Sequence, residues 1–350
     1  MNKQWTGACV LLLALNGAAA AQTCALPQIA DQAALQPVAA SNLVTVPVAI
    51  NGKPKQFLLD LGAGPISISE AAVADLGLPQ TMKMSSTIQS AGVGFTGNSQ
   101  PSALGTFQAP VYDVKGNQAA NAQRARVRVA AFTLGGATAN NLQFMVASDG
   151  EIARGAPYDG MLTTDILKQY DVEVDFAGKQ INFLTPAKCS DVDQIVFWSH
   201  GAVGEVPMEV VNGRIVVPVT IEGHAINAVI DTTSTRSVMR RDIAELALGL
   251  KPGTAGTIPD GETKDGMGLP VYVHTFPQIV FAGGVTAVNV PALIQTNGML
   301  RDADGAPMRG SRAVVGDARI ADFTLGMDVL HQLHLYAVFG HKKLYVTAAR

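Results

Sequence analysis

The sequence predicts a mainly β-stranded protein with two similar lobes. The first observation is an apolar run, residues 46–50, followed by an Asn51-Gly52 turn and a second apolar run that ends at Asp60. Two apolar runs joined by Asn-Gly are typical of a β-hairpin. The second observation is that this pattern returns 171 positions later, at residues 217–221 and at Asp231. A constant offset indicates an internal duplication, and therefore two units of domain size.

Composition limits the classes of protein and partner. A chain of 350 residues with 48% hydrophobic and 15% charged residues is long enough to bury two cores. The net charge of −3 and the isoelectric point of about 6.1 provide no basic surface for nucleic acid. An aromatic content of 6% also argues against base-stacking platforms. We therefore expect no nucleic-acid partner.

The N-terminus has the pattern of a secretory signal. Lys3 precedes an apolar run at residues 8–15, and four alanines at 18–21 offer a cleavage site, so residues 1–21 are predicted to be a signal peptide. The apolar run is too short to span a membrane, and no later segment is long and apolar enough to do so. The mature protein is therefore expected to be exported, to the periplasm or the medium, without a stable membrane span. Residues 22–42, rich in Ala, Gln and Pro, are predicted to form an extended lead-in.

Cysteine usage fits an exported protein. Cys9 leaves with the signal peptide, so Cys24 and Cys189 remain as an even pair in an oxidising compartment. We predict one disulfide between them, which would tie the N-terminus to the end of the first lobe. Two buried or free thiols are the alternative. A catalytic cysteine is disfavoured because neither lies in a motif with a base nearby.

The first lobe is predicted at residues 43–188. After the Asp60 turn, residues 66–69 alternate as a strand does, and residues 70–78 read as a short helix that stops at Gly77 and Pro79. Residues 80–130 are rich in Ser, Gly, Gln and Ala and are predicted to form a hairpin with long excursions, a candidate lid. Another hairpin follows at residues 131–136, and a helix and two strands at 159–184 close the lobe.

The second lobe is predicted at residues 205–350, after a connection at 189–204. It repeats the helix at 241–249, the hairpin at 279–284 and the closing pattern at 323–346. The hairpin lies 148 positions after its first-lobe counterpart, whereas Asp231 lies 171 positions after Asp60. The second lobe therefore has fewer residues between its aspartate and this hairpin, and its lid is predicted to be the smaller. Residues 297–322 are a surface insertion rich in Gly, Asp and Arg. Asp165 and Asp328 begin the two closing helices, where a carboxylate favours the helix dipole.

These residues resemble a retropepsin-like aspartic protease duplicated into one pepsin-like chain, over about residues 43–350. In that family each lobe carries an Asp-Thr/Ser-Gly-Ala/Ser loop and a later aliphatic-aliphatic-Gly segment. The resemblance implies an all-β fold of two barrel lobes with short helices and a cleft between them. It implies a peptide or protein substrate, no cofactor and no metal, and no need for an oligomer. It assigns Asp60 and Asp231 as the catalytic dyad, supported by Gly62, Ala63, Thr232 and Ser234.

The chemistry of such a dyad explains the layout. Two carboxylates roughly 3 Å apart cannot both ionise, so the pair holds one proton. One carboxylate acts as the base on a shared water, and the other acts as the acid toward the substrate carbonyl. Since the titration belongs to the pair, activity is expected at acidic pH.

The sequence also departs from the family pattern, once or twice in each lobe. Leu61 stands where the family has a hydroxyl that crosses between the loops. Thr233 stands where the family has Gly, so its branched side chain is expected to crowd the dyad or push the loops apart. Thr163 replaces the Gly of the closing segment that Gly326 keeps. Because both aspartates are present despite these departures, the leading function is an exported aspartic endopeptidase. The alternatives are a catalytically inactive peptide-binding protein of the same fold, and a structural or partner-binding envelope protein without chemistry in the cleft.

Other chemistry finds little support. His331 and His334 have a spacing that could hold a metal on a helix, but Lys168 and Asp171 take their places in the first lobe. A solvated helix face is the preferred interpretation. No Ser-His-Asp order or dinucleotide loop is indicated by a motif.

Overall fold

A computed structural model describes residues 27–62, 65–81, 125–149, 151–186, 196, 198, 203–211, 213–265, 268–296 and 322–349. The predicted signal peptide, Cys24 and Cys189 lie outside the described residues, as do Ala63, most of the candidate lid and the insertion at 297–321. Within the described ranges, no helix is long and apolar enough to cross a membrane.

The strands and helices follow the predicted order. The first half contains β1 (Ile29–Ala34), β2 (Gln36–Pro37), β3 (Val44–Ile50), β4 (Lys53–Asp60), β5 (Ser67–Ser69), α1 (Glu70–Leu76), β6 (Gln80–Thr81), β7 (Arg126–Leu134), β8 (Ala137–Ala147), β9 (Gly160–Thr163), α2 (Thr164–Leu167), β10 (Asp171–Asp175) and β11 (Gln180–Leu184). The second half contains β12 (Gly204–Pro207), β13 (Glu209–Val211), β14 (Arg214–Ile221), β15 (His224–Ile230), β16 (Ser237–Arg240), α3 (Arg241–Leu246), β17 (Thr257–Lys264), β18 (Pro270–Phe281), β19 (Thr286–Gln295), β20 (Phe323–Leu325), α4 (Met327–Leu330), β21 (Leu333–Val338) and β22 (Lys343–Ala348). The described residues of this half also form two 3₁₀ turns, Ala282–Gly284 and Phe339–His341.

Each lobe is a closed β-barrel, so the predicted all-β, two-lobed fold is confirmed. Among the described strands of the first lobe, six form the ring β3-β4-β9-β5-β8-β7, which closes through the pairing of β3 with β7. The equivalent ring of the second lobe is β14-β15-β20-β16-β19-β18, closed by the pairing of β14 with β18. Closure removes the open sheet edges of the ring and leaves one face of every strand to fill the interior.

The duplication extends to unusual backbone conformations. The first hairpin turns through Asn51 and Gly52 at φ of 50° and 80°, and its repeat turns through Glu222 and Gly223 at 48° and 82°. Left-handed residues recur at equivalent places elsewhere: Gly77 and Gly249, Gly135 and Gly283, Asn141 and Asn289, Lys179 and Lys342. Since non-glycine residues rarely adopt this conformation, their recurrence supports one ancestral unit more strongly than strand content does.

A third sheet joins the lobes. Its order is β1-β11-β10-β21-β22-β12, so the closing strands of both lobes lie side by side in it. The segment predicted as a lead-in contributes the edge strand β1, which pairs with β11. Asp31 of β1 also accepts three bonds from the backbone N–H groups of Gly136 and Ala137, at 2.8 to 2.9 Å.

One interpretation from the sequence is wrong at this sheet. His334 lies on β21, not on a helix, and it is 7% exposed. Its Nε2 lies 2.8 Å from Oε1 of Glu173 on β10, and its ring stacks on Trp198 at 4.5 Å. The contact joins one closing strand of each lobe. A buried carboxylate needs such a partner, which is why the histidine is not solvated.

Candidate active site

The two aspartates end equivalent strands. Asp60 is the last residue of β4, which lies between β3 and β9 in the first barrel, and it is 2% exposed. Asp231 follows β15 directly and is half-buried, and its N–H donates to the carbonyl of Leu325 at 3.0 Å. The three residues directly before each aspartate are apolar and buried, so the barrel interior holds the backbone there and leaves the carboxylate at the strand end.

The loops after the aspartates are bonded across the lobes. The hydroxyl of Thr232 accepts the N–H of Leu61 at 3.0 Å and donates to the carbonyl of Leu59 at 2.6 Å. Thr232 has no exposed surface. One side chain of the second lobe therefore satisfies two buried backbone groups on either side of Asp60. Leu61 has no hydroxyl to return the contact, and its side chain packs in the apolar core instead.

Gly62 sets the distance between the loops. Its N–H donates to Oδ1 of Asp60 at 2.9 Å. A Cβ atom built on Gly62 would lie 2.9 Å from both Cγ and Oδ1 of Asp231, so no other residue fits without moving the opposite carboxylate. With standard backbone dimensions, these contacts limit the distance between the two Oδ1 atoms to at most about 8 Å.

The second loop holds its carboxylate with different groups from those predicted. The hydroxyl of Thr233, whose branched side chain was expected to crowd the dyad, donates to Oδ1 of its neighbour Asp231 at 2.7 Å. The N–H groups of Thr233 and Ser234 reach the same oxygen, at 2.9 and 3.2 Å. The hydroxyl of Ser234 donates to the carbonyl of Arg236 at 2.7 Å instead. Ser234 thus contacts the carboxylate through its backbone alone.

The closing segments lie beneath the two loops. Asp60 is paired with Thr163 in the parallel ladder of β4 and β9. In the second lobe the same place is occupied by Gly326, where a built Cβ would lie 2.5 Å from the backbone carbon and oxygen of Arg236. The second loop therefore requires glycine here, whereas the first loop accommodates the fully buried Thr163.

Sequence reasoning missed the contacts that frame the site. Arg236, five residues after Asp231, lies 3.2 Å from Oδ1 of Asp260 on β17 and so ties the loop to the wall of the second lobe. The amide of Asn42 donates across the lobes to the carbonyl of Thr235 at 2.9 Å. Burial, and then the charge of Asp60, raise the pKa of Tyr158. These partners are far apart in sequence and belong to no shared motif, so nothing in the pattern could have identified them.

The part of the chain that the structure describes contains no candidate metal-binding site. No group of three or more His, Cys, Asp or Glu side chains there is arranged to hold a metal ion. Cys24 and Cys189, the predicted disulfide, lie outside that part and are not placed.

Comparison with known families decides the classification. The family model described as aspartyl protease matches residues 46–114 and 217–329, together more than half of the chain. The chain belongs to the aspartyl protease family. The two matched regions begin at equivalent positions, 171 residues apart, so the family match itself repeats with the internal duplication. The predicted relationship is thereby confirmed.

Solved structures give a more distant likeness. The crystal structure of Basic 7S globulin from soybean matches 91% of this chain and 96% of that chain, with 11% identity and a TM-score of 0.45. No curated protein matches the sequence.

Proposed function

We propose that this member of the family is an aspartic endopeptidase that hydrolyses peptide bonds with a water activated by Asp60 and Asp231. The observation that carries the proposal is the crossing of the two loops. Thr232 of the second lobe binds the backbone on both sides of Asp60, and Gly62 of the first lobe lies directly against the Asp231 carboxylate. Each loop thus positions the aspartate of the other.

The proposed reaction needs no group beyond the two carboxylates and water. Because two facing carboxylates cannot both ionise, they share one proton. The ionised member takes a proton from the water, and the water oxygen attacks the carbonyl carbon. The protonated member gives its proton to the carbonyl oxygen, which yields a neutral tetrahedral intermediate. The carboxyl that took the proton of the water then gives it to the amide nitrogen, while the other carboxylate takes a proton from a hydroxyl of the intermediate. The carbon–nitrogen bond breaks to release a carboxylic acid and an amine, and the pair again holds one proton.

The second lobe offers a wall for an extended substrate. Among the described strands, β17 stands at the edge of its sheet. Asp260 of β17 holds Arg236 of the Asp231 loop, and Ile258, two residues earlier on the same strand, is 62% exposed. A peptide could add as a strand along such an edge and place apolar side chains against Ile258.

The alternative is a peptide-binding protein that has lost catalysis. It is favoured by Leu61, which leaves the loops with the hydroxyl of Thr232 alone where the family has two crossing hydroxyls. An error of about 1 Å in the geometry of reacting groups costs on the order of a hundredfold in rate. Under this alternative the cleft binds peptide and releases it unchanged.

We also propose that the protein acts outside the cytoplasm, on the basis of the signal pattern at residues 1–21. Mass spectrometry of the expressed protein would test this separately. Export predicts a mature N-terminus at Gln22, and an intact N-terminus in the cytoplasm would contradict it.

The deciding experiment is cleavage of an unbiased peptide library by the mature protein from about pH 3 to 8, a range wide enough for a coupled carboxylate pair. Asp60→Asn and Asp231→Asn are compared with Asp165→Asn, which changes a partly exposed aspartate that lies outside the site. We expect cleavage at acidic pH by the wild type and by Asp165→Asn, and none by the two dyad variants.

Two other outcomes have distinct meanings. Absence of cleavage at every pH, with a library peptide still bound by the wild type, would reject the endopeptidase and support the binding protein. Cleavage that survives both dyad substitutions would reject Asp60 and Asp231 as the catalytic pair.

A further inference from the structure

The carboxylate of Asp231 is held on one side. Among the described residues, three donors reach its Oδ1 atom: the Thr233 hydroxyl at 2.7 Å and the N–H groups of Thr233 and Ser234 at 2.9 and 3.2 Å. The Gly62 backbone of the opposite loop packs against the same oxygen. An ionised carboxylate oxygen is an acceptor only, and an oxygen that already receives three donors has no lone pair free for an acid proton.

The source of the hydroxyl in this set is a departure from the family pattern. Ser234, which the resemblance assigned as a residue supporting the dyad, donates its hydroxyl to the carbonyl of Arg236 at 2.7 Å. Thr233, which replaces the family's glycine, supplies the hydroxyl instead. A glycine here would keep the N–H bond and lose the hydroxyl, so the replacement adds a donor to Asp231.

We propose that Thr233 is a positioning residue that fixes Oδ1 of Asp231 as a permanent acceptor and leaves Oδ2 to the catalytic water and the shared proton. The inference rests on the proposed endopeptidase function. Threonine suits this task because its branched side chain is stiff at χ1, so the hydroxyl is already aimed before substrate binds. A hydroxyl donor to a charged carboxylate forms one of the stronger hydrogen bonds in proteins.

This assignment changes the meaning of the departure at Thr233. A branched residue in place of glycine suggests a spoiled site from the sequence alone. In the structure its hydroxyl is turned to its own aspartate, and Gly62 lies close against the opposite carboxylate. Glycine is thus kept in the loop that approaches Asp231, and threonine is found in the loop that holds it.

The test compares Thr233→Val, which keeps the branched shape but loses the hydroxyl, with Thr233→Ser, which keeps the hydroxyl. Both are assayed on a peptide that the wild type cleaves, across the whole pH range. For Thr233→Val we expect kcat to fall by about tenfold or more, the scale of one hydrogen bond to a charged group, with KM within about twofold. Its acidic limb should move to higher pH, because the lost donor favoured the charged carboxylate.

Thr233→Ser should keep kcat within about threefold and keep the pH profile, since one hydroxyl replaces another. Asp60, Arg236 and Asp260 are unchanged in both variants, so a shift in the profile is not caused by altered charges on these neighbours. Equal loss in the Val and Ser variants, or a wild-type profile in Thr233→Val, would overturn the proposal. Should Thr233→Val not fold, Thr233→Ala removes the hydroxyl without the added methyl group.

A second measurement needs no proteolysis and so separates this inference from the proposed function. The carboxyl carbon of Asp231 is followed by NMR against pH in the Asp60→Asn background, and its signal is assigned by its loss in Asp231→Asn. We expect the titration midpoint to rise when Thr233 is changed to Val and to stay in place with Ser. The same midpoint in all three proteins would reject the role of Thr233 even if the wild type proves to be an active endopeptidase.

Discussion

The two lobes have the same ladder but fill it differently. In the first, Phe57 of β4 is paired with Gly160 of β9, and a Cβ on that glycine would lie 2.5 Å from the phenylalanine ring. In the second, the equivalent strands pair Ala228 with Phe323. Large and small residues have changed places across one parallel pair, and each barrel stays filled. The two repeats therefore share their backbone register. They do not share side-chain size position by position, but the facing pair in each lobe combines one large and one small residue.

The aspartate loops show a different kind of asymmetry. At the position after the aspartate, the first loop has an apolar Leu61 and the second has the bridging Thr232. At the next position the first loop has the close-packed Gly62, and the second has the hydroxyl donor Thr233. Neither loop is complete alone. The lobes have thus diverged in complementary ways, which is possible because one chain always brings both loops together.

The largest effect on stability is expected at Gly326, because the second lobe has no room there for a side chain such as that of Thr163 in the first lobe. Gly326→Ala places a Cβ atom 2.5 Å from the backbone of Arg236, and backbone cannot rotate away. Since overpacking against rigid neighbours is costly, we expect the free energy of unfolding to fall by about 3 kcal/mol in urea denaturation.

A matched glycine provides the control for this change. Gly340 has nothing within 4 Å of its built Cβ, so Gly340→Ala should change stability by less than about 0.5 kcal/mol. Equal stability of the two variants would show that the second loop can relax, as the loop above Thr163 has done, and that Gly326 is not required by packing.

A smaller effect is expected from the crossing hydroxyl. Thr232→Val keeps the shape of the side chain but leaves the Leu61 N–H and the Leu59 carbonyl buried without their partner. We expect a loss of about 2 to 3 kcal/mol in the free energy of unfolding, because an unsatisfied buried polar group costs about 1 to 3 kcal/mol. Thr232→Ser retains the hydroxyl and should lose less than half as much. A Val variant as stable as the Ser variant would mean that apolar packing, and not the hydroxyl, joins the loops.

The sequence was informative wherever the signal is local. The two hairpins, the strand ends at Asp60 and Asp231 and the Gly77 helix stop are set by neighbours within a few residues, and all lie where the pattern predicts them. The repeat supplied the rest of the architecture, since one correctly interpreted lobe predicts the other. It also supplied the family, which the match to both halves bears out.

What the sequence did not reveal depends on contacts between distant residues. Glu173 and His334 meet only because β10 and β21 are neighbours in the sheet that joins the lobes. The lead-in strand β1 has little apolar alternation, and its pairing with β11 has no local signature. The direction of the Thr233 hydroxyl is a rotamer choice, set by the neighbouring carboxylate, that no residue pattern encodes.

The smallest expected effect comes from two aspartates that look alike in sequence. Asp165 and Asp328 both lie in the first turn of a closing helix, where the helix dipole favours them equally. Asp328 also accepts the N–H and the hydroxyl of Ser237, at 2.8 and 2.7 Å, and so holds the strand that follows the Asp231 loop. Asp165 pairs only with Lys168 among described partners, and both side chains are about half exposed.

The dipole contribution cancels when the same substitution is made at both positions, so the remaining difference reports the Ser237 contacts. Asp328→Ala should lower the free energy of unfolding by about 2 kcal/mol, since two hydrogen bonds to a charged group are lost. Asp165→Ala should change it by less than about 0.5 kcal/mol, as is usual for an exposed ion pair. The two unfolding curves, measured side by side, decide the matter. Equal losses would mean that the helix dipole dominates at both sites, and that the lobes do not differ here.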